Sequence, residues 1–238
     1  MTLPHGLFVD MDGTLVDSES RWLIAETALM TELGGVWTRE DQVACVGGPL
    51  DRLIRYMVAK IGADEREIPD LSQRLLVHVE RAFRQEPLTW HLPVVDLLGQ
   101  AHESRVPAVL VTASDRPLVD IVLEQLHALV DFTPFVDVVA GGDAMRGKPN
   151  PDPYLLAADR IAIDPRDALA LEDSPTGVRA AIAAGCAVVA VPHLTPVGLA
   201  GAVEPGSLAD HDLVTLWSLA RDHRLENGHA GSAPRRPQ

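Results

Sequence analysis

Cysteine is scarce: the 238 residues hold only Cys45 and Cys186, far apart in the chain. A disulfide framework therefore cannot be the source of stability. No Cys-x-x-Cys pair or zinc-type spacing occurs, and the histidines are scattered. Aromatic residues are only 4%, so aliphatic side chains must fill most of a core. Long apolar runs are also missing. The longest, Ala180 to Val191 with Gly185 inside it, falls short of the ~20 residues a membrane-spanning helix needs. Basic residues are in deficit, 20 against 34 acidic for a net charge of −14. Such a field repels phosphate backbones and anionic lipid, so neither nucleic acid nor a membrane is expected as a partner. A small anionic substrate would have to be attracted by local groups. The first five residues lack a charged leader and a cleavable apolar run, and a cytoplasmic protein is expected.

What remains is an ordinary globular composition, 47% hydrophobic and 23% charged, with chain enough for one large domain or two modest ones. Leu7-Phe8-Val9 reads as a buried strand ending at Asp10. Helical spacing then runs through Ser18–Leu33, with Trp22, Leu23, Ala25, Ala28, Leu29 and Leu33 as its apolar stripe, stopped by Gly34-Gly35. Leu50–Ile61 and Leu71–Phe83 repeat the pattern, so the stretch from about Asp17 to Trp90 reads as helix and loop. After Pro93 the rhythm changes. Helical segments at Val94–His102, Pro117–His127, Pro153–Ile161 and Thr176–Ala184 alternate with strand-like runs at Ala108–Val111, Val136–Ala140, Ala168–Leu171 and Ala187–Val191. Alternation of this kind predicts a parallel sheet covered on both faces. The expected class is α/β, a Rossmann-like parallel sheet core with an inserted helical cap domain. Residues 1–16 and 91–226 form the core, 17–90 the cap and 227–238 a disordered tail.

Four strand-end segments carry candidate chemistry. Asp10-Met11-Asp12-Gly13-Thr14 follows the first strand; Asp10 and Asp12 share a face there, and a divalent cation would relieve their repulsion. An Asx turn is the competing reading of this segment alone. Thr112-Ala113-Ser114 offers a hydroxyl and N–H groups before a helix, or simply a cap, with Ser114 or Asp115 opening the helix. Gly147-Lys148-Pro149, in a proline-stiffened stretch, offers a positioned ammonium suited to a phosphoryl group. Glu172-Asp173-Ser174-Pro175 ends another strand with two acids, or caps a helix with Asp173 or Ser174 and Pro175 at its first position. Each structural reading stands alone, but a parallel sheet brings all four loops to one edge. Their joint convergence favours a binding site.

These segments resemble the haloacid dehalogenase superfamily, in its helical-cap subgroup with β-phosphoglucomutase and small sugar-phosphate phosphatases. The resemblance covers Leu7 to about Pro192. Phe8-Val9-Asp10-Met11-Asp12-Gly13-Thr14-Leu15-Val16-Asp17-Ser18 matches the family's first motif, Thr112 the second, Lys148 the third and Glu172-Asp173 the fourth. The resemblance implies that Asp10 is a nucleophile forming an aspartyl phosphate and Asp12 a general acid and base. It implies that Thr112, Ala113 and Lys148 bind the phosphoryl oxygens. It also implies Mg²⁺ held by Asp10, the Asp12 carbonyl and Asp173, with Glu172 nearby. The function it implies is Mg²⁺-dependent hydrolysis of a small phosphorylated metabolite.

In the cap, Gly47-Gly48-Pro49 breaks the chain and Arg52 follows, giving Gly47, Gly48 and Arg52 as candidate substrate contacts. The mutases of this subgroup carry a Gly-Val-Ser-Arg type loop there, whereas this chain reads Gly47-Gly48-Pro49-Leu50. That difference favours hydrolysis over a sugar-phosphate mutase. A binding protein without turnover is the other rival, and the complete set Asp10, Asp12, Thr112, Lys148 and Asp173 argues against it. Cys45 and Cys186 are expected to be buried small hydrophobes.

Overall fold

The computed structural model describes residues 2–45, 50–85, 87–191 and 197–226. Its central sheet contains β1 (Gly6–Val9), β4 (Ala108–Val111), β5 (Asp137–Val139), β6 (Ala168–Glu172), β7 (Ala187–Ala190) and β8 (Ala202–Val203), in the order β5-β4-β1-β6-β7-β8. Every pairing in it is parallel. β1 sits between β4 and β6, with Phe8 opposite Val109 on one side and Ala170 on the other. The carboxyl ends of these three strands are therefore neighbours. Crossovers of a parallel sheet place helices on both faces, so the strands are apolar on both sides. Leu7, Val9, Leu110, Leu171 and Val189 pack on one face, while Phe8, Val109, Val111, Ala170 and Val188 pack on the other.

On the first face lie α5 (Leu92–Glu103), α6 (Arg116–Leu129) and α9 (Leu213–Glu226); on the second lie α7 (Asp152–Arg160) and α8 (Pro175–Ala184). Between β1 and α5 the chain forms β2 (Val16–Asp17), α1 (Glu19–Glu32), α2 (Arg39–Cys45), α3 (Leu50–Ile61), α4 (Ile68–Gln85) and β3 (Thr89–Trp90). β2 and β3 pair antiparallel, Val16 opposite Trp90 and Asp17 opposite Thr89. The two chain passages into and out of the helical cap thus run side by side. The helix-and-loop reading of Asp17 to Trp90 missed this short ladder. Apolar packing is continuous from sheet to cap: Met11, Leu15 and Val16 join Leu29, Ile54, Leu75 and Phe83 in one cluster.

The expected helices are present, with ends that differ by a few residues. α1 differs in the face it buries. Its buried residues are Arg21, Ala25, Glu26, Leu29 and Met30, whereas Trp22, Leu23, Ala28 and Leu33 are only half-buried. Two polar contacts account for the rotation: Arg21 Nη2 donates to Pro87 O at 2.8 Å, and Trp37 Nε1 donates to Glu26 Oε2 at 2.8 Å. α2, β8 and α9 lie outside the expected elements, although Leu213, Leu216, Trp217 and Ala220 in α9 are buried at helical spacing. Cys45 and Cys186 are both buried. The expected tail 227–238, Gly47 and Gly48 lie outside the described residues. Among the described residues, no helix is long and apolar enough to cross a membrane.

Candidate active site

The site starts from the turn after β1. Asp10 N donates to Leu171 O at 3.0 Å, holding the strand end against β6. The chain then folds back, with Leu15 N and Val16 N both donating to Met11 O and Gly13 N to Val16 O. Gly13 adopts φ of 79°, a left-handed value that disfavours a side chain. A Cβ there would also fall inside the Asp173 carboxylate. The same glycine therefore permits both the sharp turn and the approach of the β6 loop to the β1 loop. Thr14 Oγ1 reaches Asp173 Oδ1 at 3.4 Å.

Lys148 joins the loops. Its Nζ donates to Asp10 Oδ1 at 2.5 Å, Glu172 Oε1 at 2.5 Å and Val111 O at 2.9 Å. An ammonium has three protons to donate, so these partners account for all of them. Its side chain is 6% exposed. Burial works against the charged form, but Asp10 and Glu172 outweigh it, and the Lys148 pKa is raised. Asp10 is pushed well above the usual carboxylate range by burial and by the Glu172 charge, against the pull of Lys148. Asp173 is raised by burial, then by Asp10 and Glu172. Asp10 and Glu172 thus share one ammonium, and Asp173 crowds against both.

One carboxylate oxygen from each of Asp10, Glu172 and Asp173 lies within 4.8 Å of the others. Hard oxygen donors crowded in this way suit Mg²⁺, and the carboxylate repulsion that adds to burial in raising Asp10 and Asp173 is what a divalent cation would relieve. The residues present therefore fit the ion. The Asp12 carboxylate is not part of that side-chain group. Its Oδ2 accepts from Ser114 Oγ at 2.6 Å, and its Oδ1 is buried with no hydrogen-bond partner among the described residues.

The sheet edge also receives the β4 loop. Thr112 is buried, its N donating to Val139 O at 2.9 Å and its Oγ1 accepting from Ser114 N at 3.0 Å. Ala113 is exposed between them. The N-cap of α6 is Asp115, which leaves the Ser114 hydroxyl for Asp12. At the β6 end, Ser174 caps α8 by accepting from Gly177 N at 3.0 Å, with Pro175 following. Its hydroxyl and N also donate to Glu172 Oε2, at 3.1 and 3.3 Å. Capping and carboxylate positioning are the same contact set here. The sheet therefore gathers Asp10, Asp12, Thr112, Ala113, Lys148, Glu172 and Asp173 at one edge. Arg52, in α3, is exposed and donates to Ala44 O at 2.9 Å.

Two participants escape the motif reading. Ser114 looks like a cap in sequence, and Tyr154, whose hydroxyl donates to Glu172 Oε1 at 2.7 Å, looks like part of an apolar helix stripe. Their signal is faint: Ser114 stands two residues beyond the motif threonine, and Tyr154 six beyond the motif lysine.

A family model described as haloacid dehalogenase-like hydrolase matches residues 7–191. The chain is similar to a probable pseudouridine-5'-phosphatase of Drosophila melanogaster, 32% identical over 198 residues that cover 79% of this chain and 81% of that protein. It is similar to hexitol phosphatase A of Escherichia coli, 30% identical over 190 residues, 78% of this chain and 82% of that one. In fold it is similar to CbbY of Rhodobacter sphaeroides, solved in complex with xylulose-(1,5)bisphosphate. The TM-score there is 0.76 at 22% identity, covering 90% of this chain and 99% of that one.

Proposed function

The chain belongs to the haloacid dehalogenase-like hydrolases, and from that premise we propose that it is a Mg²⁺-dependent phosphatase hydrolysing a small phosphate monoester through a phospho-Asp10 intermediate. The observation that carries this reading is the Lys148 ammonium shared between Asp10 and Glu172, with Asp12 two residues from Asp10. The names of the two phosphatase relatives support it.

Asp10 is the nucleophile. Its carboxylate oxygen attacks phosphorus, and the bond to the leaving alkoxide breaks. Lys148 holds Asp10 in place and offsets the repulsion between carboxylate and phosphate. Asp12 donates a proton to the leaving oxygen, then takes one from the water that attacks the aspartyl phosphate and releases Asp10. Thr112, Ala113 and Lys148 bind the phosphoryl oxygens, the ammonium exchanging its bond to Val111 O for one to the substrate. Asp10, the Asp12 carbonyl and Asp173 would hold Mg²⁺, with Glu172 nearby; bound there, the ion supplies charge neutralisation for the transferring group.

Residues 17–90 act as the cap, joined to the core at the ladder of β2 and β3. The cap excludes water and selects the leaving group, with Gly47, Gly48 and Arg52 as its candidate contacts. A small phosphorylated metabolite in the cytoplasm is the substrate class in this reading.

The test is a phosphate-release screen across phosphorylated metabolites and an aryl phosphate, with and without Mg²⁺. Metal-dependent release from at least one monoester is expected. Inactivity of folded protein across the whole panel would sink the proposal.

A further inference from the structure

Tyr154 is fully buried in the first turn of α7, directly behind the charged centre. A buried phenol needs a hydrogen-bond partner, and Tyr154 takes an unusual one. Its hydroxyl donates to Glu172 Oε1 at 2.7 Å, the same oxygen that accepts from Lys148 Nζ. The Lys148 ammonium also lies 5.3 Å from the centroid of the Tyr154 ring, within range of a cation–π attraction. Phe8 of β1 packs against the ring at 6.2 Å, fixing it from the sheet side.

The other end of the Glu172 carboxylate is held by Ser174. Glu172 is thus held at both oxygens, from α7 on one side and from the α8 cap on the other.

We infer that Tyr154 is a positioning residue of the phosphoryl-transfer centre: its hydroxyl fixes Glu172 and, through the shared Oε1, sets the Lys148 ammonium against Asp10. Without that hydroxyl, Glu172 Oε1 keeps only the ammonium among its described partners, and Ser174 alone holds the carboxylate against the pull of Lys148. Lys148 then shifts its balance between Asp10 and Glu172. The inference rests on the phosphatase reading above.

Tyr154→Phe keeps the ring and its packing and removes only the hydroxyl. Groups that orient active-site ligands without touching substrate typically cost 10–100-fold when removed. The expected result with an aryl phosphate is a fall in kcat of roughly ten-fold, with KM nearly unchanged and more Mg²⁺ needed for half-activation. A core-filling tyrosine would move neither kcat nor the Mg²⁺ requirement. Wild-type values for both in folded Tyr154→Phe would overturn the inference and leave the phosphatase reading standing. An inactive wild type would instead sink that reading.

A second measurement covers the case in which the variant does not fold. The chain has two tyrosines, Tyr56 and Tyr154, so uniform 3-fluorotyrosine labelling gives two resonances, assigned with Tyr56→Phe. The Tyr154 fluorine-19 signal is expected to shift on addition of Mg²⁺ and again with inorganic phosphate. A Tyr154 signal unmoved by both would overturn the inference.

Discussion

The Ser114 hydroxyl donates to Asp12 Oδ2 at 2.6 Å and ties the loop after β4 to the loop after β1. Among the described residues Asp12 Oδ1 is buried without a partner, so the Ser114 bond orients the carboxylate. If Asp12 exchanges protons with the leaving group and with water, its aim matters to both half-reactions. Ser114→Ala is expected to lower kcat by about five- to twenty-fold, a fraction of the roughly 10²–10⁴-fold that a positioned acid–base group contributes. KM and the melting temperature should change little, because Ser114 is only half-buried. Wild-type kcat in Ser114→Ala would mean that Asp12 is aimed by something else.

Asp10→Asn separates chemistry from folding. The amide keeps the size of the side chain but is not a nucleophile, so turnover should fall by about a thousand-fold or more. The fold should persist, and without metal it should be at least as stable as the wild type. Asp10 is one of four crowded acids, and burial together with Glu172 already disfavours its ionised form. Substantial turnover in the variant would remove the covalent mechanism.

Metal binding can be read without activity. A ligand that binds only the folded state stabilises it by about 2.7 kcal/mol at a hundred times its Kd. Mg²⁺ should therefore raise the melting temperature of the wild type. Asp173→Ala removes one of the three clustered carboxylates and should blunt the rise. Equal shifts in the two proteins would place the ion elsewhere.

The residues of these predictions differ in how far sequence alone reveals them. Asp10, Thr112, Lys148 and Asp173 stand at or just beyond strand ends, or in the loop before α7, and a parallel sheet carries such positions to one edge. A local pattern therefore suffices for them. Ser114 meets Asp12 across 102 positions, and Tyr154 meets Glu172 across 18; each satisfies a commonplace local role as well. The same holds for the fold. α4 declares itself through Leu71, Leu75, Val79 and Phe83, all buried at helical spacing. β2 and β3 are two residues each, too short for any periodicity. The buried face of α1 is set by Arg21 and Glu26, whose partners Pro87 and Trp37 belong to other parts of the chain.

Glu26 supplies the final prediction, a pH dependence that originates in the cap. It is 3% exposed, and its Oε2 accepts from Trp37 Nε1. Burial raises its pKa from 4.5 to about 7, with the Trp37 N–H pulling the other way. The folded state then holds this proton more tightly than the unfolded chain. Between pH 4.5 and about 7, stability falls as pH rises, because the unfolded chain releases a proton that the folded protein retains. Above that window the penalty is complete. Glu26→Gln stays neutral at every pH and keeps an oxygen for Trp37. The variant should therefore be more stable than the wild type at pH 8, by about 1–2 kcal/mol once relaxation around the charge is allowed for. The gap should close toward pH 5. Glu19, raised to about 7 by burial and then by Asp12 and Glu26, loses the Glu26 contribution in the variant, so the pH-dependent gap reports Glu26 together with its coupling to Glu19. Thermal melts of the pair in metal-free buffer from pH 5 to pH 8.5 measure it. A gap that does not vary with pH would show that Glu26 ionises in the folded protein as readily as in the unfolded chain.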